Sequence, residues 1–348
     1  LFHQAEFGVY GFGNDLAEDI LIGKRVAEEA GLEMQEILLD EHYVERESLQ
    51  DGLSFVEGAH GMAGYARAHY LYAAKRLEGK TRYLITGNFG SELFRAAHNA
   101  GAVISPNLYK LFESDSPEQA FESIERSVEF SRLNRPAFRK EWNSLKADIL
   151  SHPVFSTGYK SLSRNQRFYL MVMEESFRKY FGAEMMNQFR HLNNRTPFLD
   201  YEFLRALFKT EFAGVFSEYR ESNPLKRFKG QVLYAHIIRK ACPQLGRIKT
   251  NKGYRPDDLL SLTGKGSIAL SYFNKRFRPH SAPDPNSVDK CAVHHMSFFQ
   301  EQSINENLFN KDLFERGINR GDHSHDFIIA LSQSWNCSRL SEQAFHPI

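Results

Sequence analysis

The sequence predicts an α/β fold in which a parallel, doubly wound sheet, built from the first hundred residues, precedes a mostly helical half. Three observations support this class. Short apolar runs at residues 7–10, 34–39 and 82–86 alternate with stretches of helical period. Strands separated by helices need crossover connections, which make the strands parallel. From Pro117 onward the spacing is helical, and few strand-like runs remain.

The first strand, at residues 7–10, is followed by a turn predicted at residues 11–14. The first helix is expected to start at Asp15, because Asp15 and Glu18 have the spacing of a capping box. Gly31 stands where a glycine would end that helix. The strand at 34–39, a helix at 61–77 and the strand at 82–86 complete the predicted α/β part.

The second half is predicted to be helical over residues 118–133, 136–150, 164–181 and 231–241. Residues 279–287 carry three prolines and are predicted to form a loop or linker. We expect a nucleotide-binding part at residues 1–115 and a helical part at 116–270. Residues 271–348 form a C-terminal extension to which the sequence assigns no role.

The composition excludes several classes of protein. Of the 348 residues, 42% are hydrophobic and 25% are charged, which is typical of a globular chain. The formal net charge of +1 argues against a nucleic-acid binder with a globally basic surface. Three widely spaced cysteines exclude a disulfide framework and favour the cytoplasm. No apolar run approaches the ~20 residues that span a bilayer, so no membrane association is predicted.

Four loops are candidates for chemistry, and each also has a plain structural explanation. The glycines at residues 11–13 and 87–90 could bring backbone N–H groups close to a nucleotide or an anion, or could simply form tight turns, with Ser91 as a helix N-cap. Arg195 can hold a carboxylate or phosphate bidentately, while Asp200 is expected to cap the following helix. The loop at 249–254 is basic, and solvated lysines are its ordinary interpretation.

Two clusters resemble halves of metal sites, but no metal site is predicted. Cys291 lies near His294 and His295, and residues 322–326 read D-H-S-H-D. Zinc sites need three or four ligands of defined geometry, and neither cluster has an evident completing pair.

Taken together and in order, these segments resemble the synthetase domain of the glutamine-dependent asparagine synthetases, a family with an adenine-nucleotide α-hydrolase-like fold. The likeness covers roughly residues 5 to 265. The matching segments are Phe12-Gly13, Asp19 with K-R-V-A at 24–27, T-G-N-F-G-S-E-L-F at 86–94, R-T-P-F-L-D at 195–200 and K-T-N-K-G-Y at 249–254.

The resemblance implies an ATP-dependent ligase that adenylates a carboxylate and then forms an amide with ammonia. ATP, Mg²⁺, a small carboxylate and a glutaminase domain or subunit that supplies ammonia are the implied cofactors and partners. By position, Phe12, Gly13, Gly87 and Asn88 would bind ATP. The implied catalytic residues are Lys252 at the pyrophosphate, Arg195 on the substrate side, and Glu92.

The chain also departs from the family's pattern. Asn88, Ser91 and Asn193 stand where the family has acidic residues, and amides and hydroxyls are poorer Mg²⁺ ligands than carboxylates. In the family, an S-G-G-x-D-S phosphate loop lies about one helix before the segment that matches Phe7, and a glutaminase domain precedes it. Residues 1–115 are therefore expected to lack the family's first strand and phosphate loop. Two hypotheses remain open: an amide-forming ligase of the asparagine synthetase type, or a non-catalytic relative that keeps the fold for binding or assembly.

Overall fold

The computed structural model describes residues 8–59, 64–94, 106–133, 136–155, 161–221, 223, 229–277, 291, 293–302, 304–321, 327, 330–331, 334–335 and 337. The chain divides into two compact units, each assembled from segments distant in sequence. The first unit comprises Leu1–Glu47, Ile85–Gly101 and Thr196–Ser287, and the second comprises Ser48–Leu84, Ala102–Arg195 and Val288–Ile348. The sequential division into 1–115, 116–270 and 271–348 stays a prediction.

The first unit opens with a β–α–β element. Strand β1 (Gly8–Gly13) pairs in parallel with β2 (Glu33–Leu38), and helix α1 (Glu18–Ala30) makes the crossover between them. The side chains of Ile20 and Ala27 on α1 are buried against the pair. The parallel arrangement of the first two predicted strands is therefore confirmed.

Two details of this element correct the sequence-based prediction. The strand continues through Gly11 and Phe12 to Gly13, so these residues do not form the predicted turn. The turn begins at Asn14, whose side-chain oxygen accepts the N–H of Leu16 at 3.1 Å. Because this turn occupies residues 14–17, α1 begins at Glu18, and Asp15 does not cap it. The predicted end of the helix is confirmed, because Gly31 adopts a left-handed conformation with φ of 65°.

The remainder of the first unit surrounds one helix, α12 (Lys229–Ala241). Ala235 on α12 joins Tyr254, Leu259 and Ile268 in a buried cluster. The other regular elements of this unit are α4 (Gly90–Phe94), α11 (Tyr201–Leu207), α13 (Leu262–Phe277) and the 3₁₀ turns Pro197–Leu199, Gly214–Phe216, Pro243–Arg247 and Pro256–Leu260.

The second unit is mainly helical, which confirms the prediction for this part of the chain. A cluster of buried side chains, including Phe121 and Ile124, forms one part of its core. Its helices are α2 (Ser48–Gly58), α3 (His69–Leu77), α5 (Pro106–Glu113), α6 (Pro117–Glu125), α7 (Val128–Ser131), α8 (Arg139–Ser151), α9 (Arg164–Met171), α10 (Arg178–Phe189), α14 (Met296–Glu301) and α15 (Lys311–Asn319). Shorter turns of this unit are the π-helical Val172–Phe177 and the 3₁₀ turn Tyr65–Arg67. The π-helical turn Tyr43–Glu47 belongs to the first unit.

The third predicted strand is confirmed as β3 (Tyr83–Ile85), and it pairs with β4 (Asn193–Arg195). Over the residues that the structure describes, the chain is therefore an α/β protein with two small two-stranded parallel sheets. None of the described helices is both long and apolar enough to cross a membrane. The linker predicted at 279–287 lies outside the described residues.

Candidate functional site

The candidate site is built around the loop that joins β3 to α4. Thr86 follows β3 directly, and its hydroxyl lies 3.2 Å from the hydroxyl of Thr196. Gly87 is exposed, and a Cβ added there would meet no atom within 4 Å, so the backbone at this position is open to a ligand. The next residues turn sharply, because Phe89 adopts a φ of 70° while its side chain is buried.

The predicted N-cap of α4 is wrong. A Ser91 cap would require the helix to begin at Glu92, but it begins two residues earlier, at Gly90, so Ser91 lies inside the first turn. The positive φ of Phe89 turns the chain into the helix at that point. Ser91 and Glu92 are both half-buried in this turn.

The loop and α4 are packed against the segment that carries R-T-P-F-L-D. A Cβ added to Gly90 would lie 2.7 Å from the ring of Phe198 and 2.6 Å from the hydroxyl of Tyr234 on α12. Phe94, at the end of α4, is also buried against both rings, with centroid distances of 6.1 Å to Phe198 and 4.5 Å to Tyr234. Two segments with resemblance to the family thus lie side by side on one helix.

Asp200 has the structural role expected of it. Its carboxylate accepts the N–H of Phe203 at 2.8 Å and caps α11. Arg195 ends β4 in the second unit, where its guanidinium lies 5.5 Å from the ring centroid of Tyr83 and donates to the carbonyl of Asn194. The role implied for Arg195 on the substrate side stays a prediction.

The basic loop at 249–254 is attached to the same helix. The N–H and the hydroxyl of Thr250 both donate to the carbonyl of Tyr254, at 2.9 and 2.8 Å, and Gly253 completes this tight loop with a φ of 89°. Tyr254 is buried against Ala235 of α12. Lys252 is carried at the tip of this loop and is half-buried.

Phe12 and Gly13 lie at the carboxyl end of β1. The carbonyl of Gly13 accepts the N–H of Leu39 at 2.8 Å, and the ring of Phe12 stacks on that of Tyr10 with centroids 6.4 Å apart. Ligands of open parallel sheets bind at this end of the strands. Gly11 and Gly13 lie in the strand before the turn and do not form the turn itself, so their predicted placement in a loop is wrong.

The β–α–β element is also joined to the region after α12. The side chain of Gln244, in the 3₁₀ turn Pro243–Arg247, donates to the carbonyl of Glu29 on α1. Helix α12 and the turn that follows it therefore contact three of the segments that resemble the family: residues 86–94, 196–200 and 249–254, with α1 as a fourth neighbour. No sequence pattern marked Tyr234 or Gln244, because packing partners of this kind have no local signature.

The site has few acidic groups. The carboxamide nitrogen of Asn88 is shielded from solvent and makes no hydrogen bond within the described part of the chain. Among the same residues, no group of three or more His, Cys, Asp or Glu side chains could hold a metal ion. Glu92 is the single carboxylate in residues 86–94.

The cluster at Cys291 and His295 belongs to the interior of the second unit. The Nε2 atom of His295 lies 2.9 Å from the hydroxyl of Ser48, which is also 3.5 Å from the hydroxyl of Tyr65. Burial raises the pKa of the Cys291 thiol. Each of these side chains is less than a tenth exposed, so the cluster ties α2 to the C-terminal helices. The D-H-S-H-D segment at 322–326 lies outside the described residues.

Comparison of the chain with protein-family models, with curated proteins and with solved structures gave no match. The likeness to asparagine synthetases therefore rests on the sequence motifs, and it stays a prediction.

Proposed function

We propose that the chain is an ATP-dependent, amide-forming ligase of the asparagine synthetase type. One observation carries the proposal. Three segments that resemble the family's motifs, at residues 86–94, 196–200 and 249–254, all pack on helix α12 within one unit. Turn residues unrelated in function would not be expected to pack on the same helix, since these segments span up to 168 positions of sequence (254 − 86).

The residues present fit ATP. The exposed backbone of Gly87 allows close approach of a phosphate or ribose, and glycine-containing loops before helices are common phosphate sites. The ammonium group of Lys252 supplies a positive charge suited to pyrophosphate, and Phe12 with Gly13 would lie along the adenine or ribose. In this proposal Arg195 holds the substrate carboxylate, and the two sheets are parts of one doubly wound sheet.

The proposed chemistry has two steps. A carboxylate oxygen attacks the α-phosphorus of ATP, the bond to the β-phosphate oxygen breaks, and pyrophosphate leaves. Ammonia then attacks the acyl carbon of the adenylate, AMP departs with the bonding electrons, and the nitrogen loses a proton to give the amide. Lys252 would stabilise the charge on the departing pyrophosphate, which is the usual function of a fixed cation in phosphoryl chemistry.

Bound Mg²⁺ would add further neutralisation of the phosphates, but the described residues do not offer it a carboxylate cage. Mg²⁺ is commonly held by one or two carboxylates together with substrate phosphates, and Glu92 is the one acidic side chain of residues 86–94. No step is therefore assigned to the metal. A glutaminase domain or subunit as the source of ammonia, and a cytoplasmic location, belong to the same proposal.

Asn88 and Ser91 favour a second candidate, a non-catalytic relative that keeps the fold for binding or assembly. A carboxamide and a hydroxyl neither bind a cation as a carboxylate does nor accept a proton from the attacking nitrogen at neutral pH. The shielded Asn88 nitrogen shows that this amide is placed inside the loop and not at its surface. Nucleotide binding without turnover is the behaviour that this candidate predicts.

The first experiment is a titration of the chain with ATP, by calorimetry or by a fluorescent analogue. We expect the Lys252→Ala variant to bind about 10- to 150-fold more weakly, because a charge-assisted hydrogen bond contributes about 1.5–3 kcal/mol. Lys265→Ala is the matched control, since Lys265 is also a half-buried lysine of the first unit. Equal affinities for all three proteins would refute the assignment of Lys252, and no binding by any would refute the nucleotide site.

The second experiment measures pyrophosphate release in the presence of ATP, Mg²⁺, ammonia and a panel of carboxylic acids. Pyrophosphate release is the result that the proposed ligase predicts. ATP binding without release is the result that the non-catalytic candidate predicts, because Asn88 and Ser91 leave few carboxylates to place a metal ion against the departing phosphates. Turnover that disappears in Lys252→Ala would show instead that the altered positions still support catalysis.

A further inference from the structure

The hydroxyl groups of Thr86 and Thr196 link two segments that are 110 positions apart in sequence, at a distance of 3.2 Å. Thr86 directly precedes the open backbone of Gly87, and Thr196 opens the segment that packs beneath the loop. Thr86 is only 9% exposed, so water competes poorly for this hydrogen bond. We propose that Thr196 is a positioning residue, which fixes the loop at residues 87–89 for nucleotide binding; the nucleotide part of this inference rests on the proposed function.

The loop is held at both of its ends by the same short segment. Thr196 bonds to Thr86 at the start of the loop, and the ring of Phe198 lies against Gly90 at its end. Only three residues separate these two anchors. A chain of three residues with both ends fixed has few conformations left, and the loop includes Phe89 in a conformation that is uncommon outside glycine.

The two anchors differ in chemistry: one is a hydrogen bond between hydroxyl groups and the other is the packing of a ring. A substitution can therefore remove the hydrogen bond without changing the packing. Phe198 acts through van der Waals contact. A substitution at Thr196 that keeps the shape of the side chain should leave this contact unchanged. Valine has nearly the shape of threonine but has no hydroxyl, so Thr196→Val removes the hydrogen bond while keeping the volume. Serine keeps the hydroxyl and loses a methyl group, so Thr196→Ser tests the bond from the other side.

Loss of this hydrogen bond is expected to loosen the loop and to weaken ATP binding by about 2- to 10-fold, the range that one net hydrogen bond supplies. Amide hydrogen exchange reports the first effect directly, because local opening governs exchange in a loop. We expect the amide of Gly90, which closes the loop by donating to the carbonyl of Gly87 at 3.2 Å, to exchange several-fold faster in Thr196→Val than in the wild-type chain. Amides elsewhere in the first unit should keep their rates.

The experiment compares the wild-type chain, Thr196→Val, Thr196→Ser and the control Thr210→Val. Thr210 lies in the same unit, but its hydroxyl donates to the nearby carbonyl of Leu207 and has no link to the loop. Exchange at Gly90 is measured by NMR, the ATP dissociation constant by calorimetry, and the melting temperature of every variant alongside.

Faster exchange confined to residues 87–90 in Thr196→Val, with wild-type rates in Thr196→Ser and Thr210→Val, supports the positioning role. If Thr196→Val also binds ATP more weakly than the wild-type chain, the positioning role includes nucleotide binding. Unchanged exchange in Thr196→Val overturns the inference, whether or not ATP binds. Wild-type chain that binds no ATP refutes the proposed function instead, and the exchange rates still decide whether Thr196 fixes the loop. A global rise in exchange with a lower melting temperature would show a merely structural threonine and would also overturn it.

Discussion

Replacing Gly230 by alanine should separate helix α12 from the segment that it supports. A Cβ added to Gly230 would lie 2.1 Å from the carbonyl oxygen of Phe94 and 2.6 Å from its Cβ. The nearest obstacle is backbone, so no side-chain rotation can relieve the clash. The substitution therefore tests whether close approach of these two elements holds the candidate site together.

The size of the effect follows from the distances. Contacts of this kind are essentially never shorter than 3.0 Å, so the two elements must move apart by at least about 0.9 Å, from 2.1 to 3.0 Å. Overpacking in a well-packed core costs about 1–3 kcal/mol, and a backbone obstacle places this case at the upper end. Alanine regains about 1 kcal/mol of helix propensity over glycine. The net loss in the free energy of unfolding should be about 2 kcal/mol.

The matched control is Gly266→Ala on helix α13, where an added Cβ would meet no atom within 4 Å. This variant should be more stable than the wild-type chain by about 0.5–1 kcal/mol, because only the propensity term remains. Urea unfolding followed by tyrosine and tryptophan fluorescence measures both variants. If Gly230→Ala proves as stable as Gly266→Ala, the close packing of α12 on Phe94 is wrong.

Two further predictions concern the second unit. Ser48→Ala should lower the free energy of unfolding by about 1–3 kcal/mol, because it leaves the buried imidazole of His295 without this partner; Ser54→Ala, on the exposed side of the same helix, should change it little. Because burial raises the pKa of the Cys291 thiol, the folded protein holds that proton more tightly than the unfolded chain. The free energy of unfolding should therefore fall as the pH rises above the unfolded thiol's pKa of about 8.5. Urea unfolding at pH 7 to 10 measures this decline, which should be smaller in Cys291→Ala and unchanged in Cys242→Ala.

The local pattern of the sequence was sufficient to predict β1, α1, β2 and β3. Apolar runs of strand length, a helical period and a terminal glycine are all local signals, and they mark elements whose burial is regular. The end of β1 was missed because Gly11 and Gly13 resemble turn residues. Their actual basis is tertiary: Gly11 lets Met34 and Ile20 approach the strand, and Gly13 adopts a φ of 155° that other residues rarely take. Strand β4 was missed because three polar residues, N-N-R, have no alternation to detect.

The candidate site shows the same limit. The motifs located the loops at residues 86–94, 196–200 and 249–254, but their common support on α12 arises from contacts made by Gly230, Tyr234 and Ala235. Ser91 was expected to cap α4, and nothing local signals that Phe89 adopts a positive φ and starts the helix at Gly90. Contacts between residues far apart in sequence determine these details, and such contacts cannot be predicted from the local pattern of a single sequence.

The support of Phe94 by Tyr234 also has a consequence for how the protein is made. Phe94 is 1% exposed in the folded chain, yet the ring that covers it is encoded 140 residues later (234 − 94). At a synthesis rate of about 5–20 residues per second, a ribosome needs roughly 7–28 s to cover that interval. During that time the aromatic side chain and its neighbours have no native partner from α12. The nascent chain should therefore be a target for chaperones that bind apolar segments, and a pause in translation between these two points should increase aggregation.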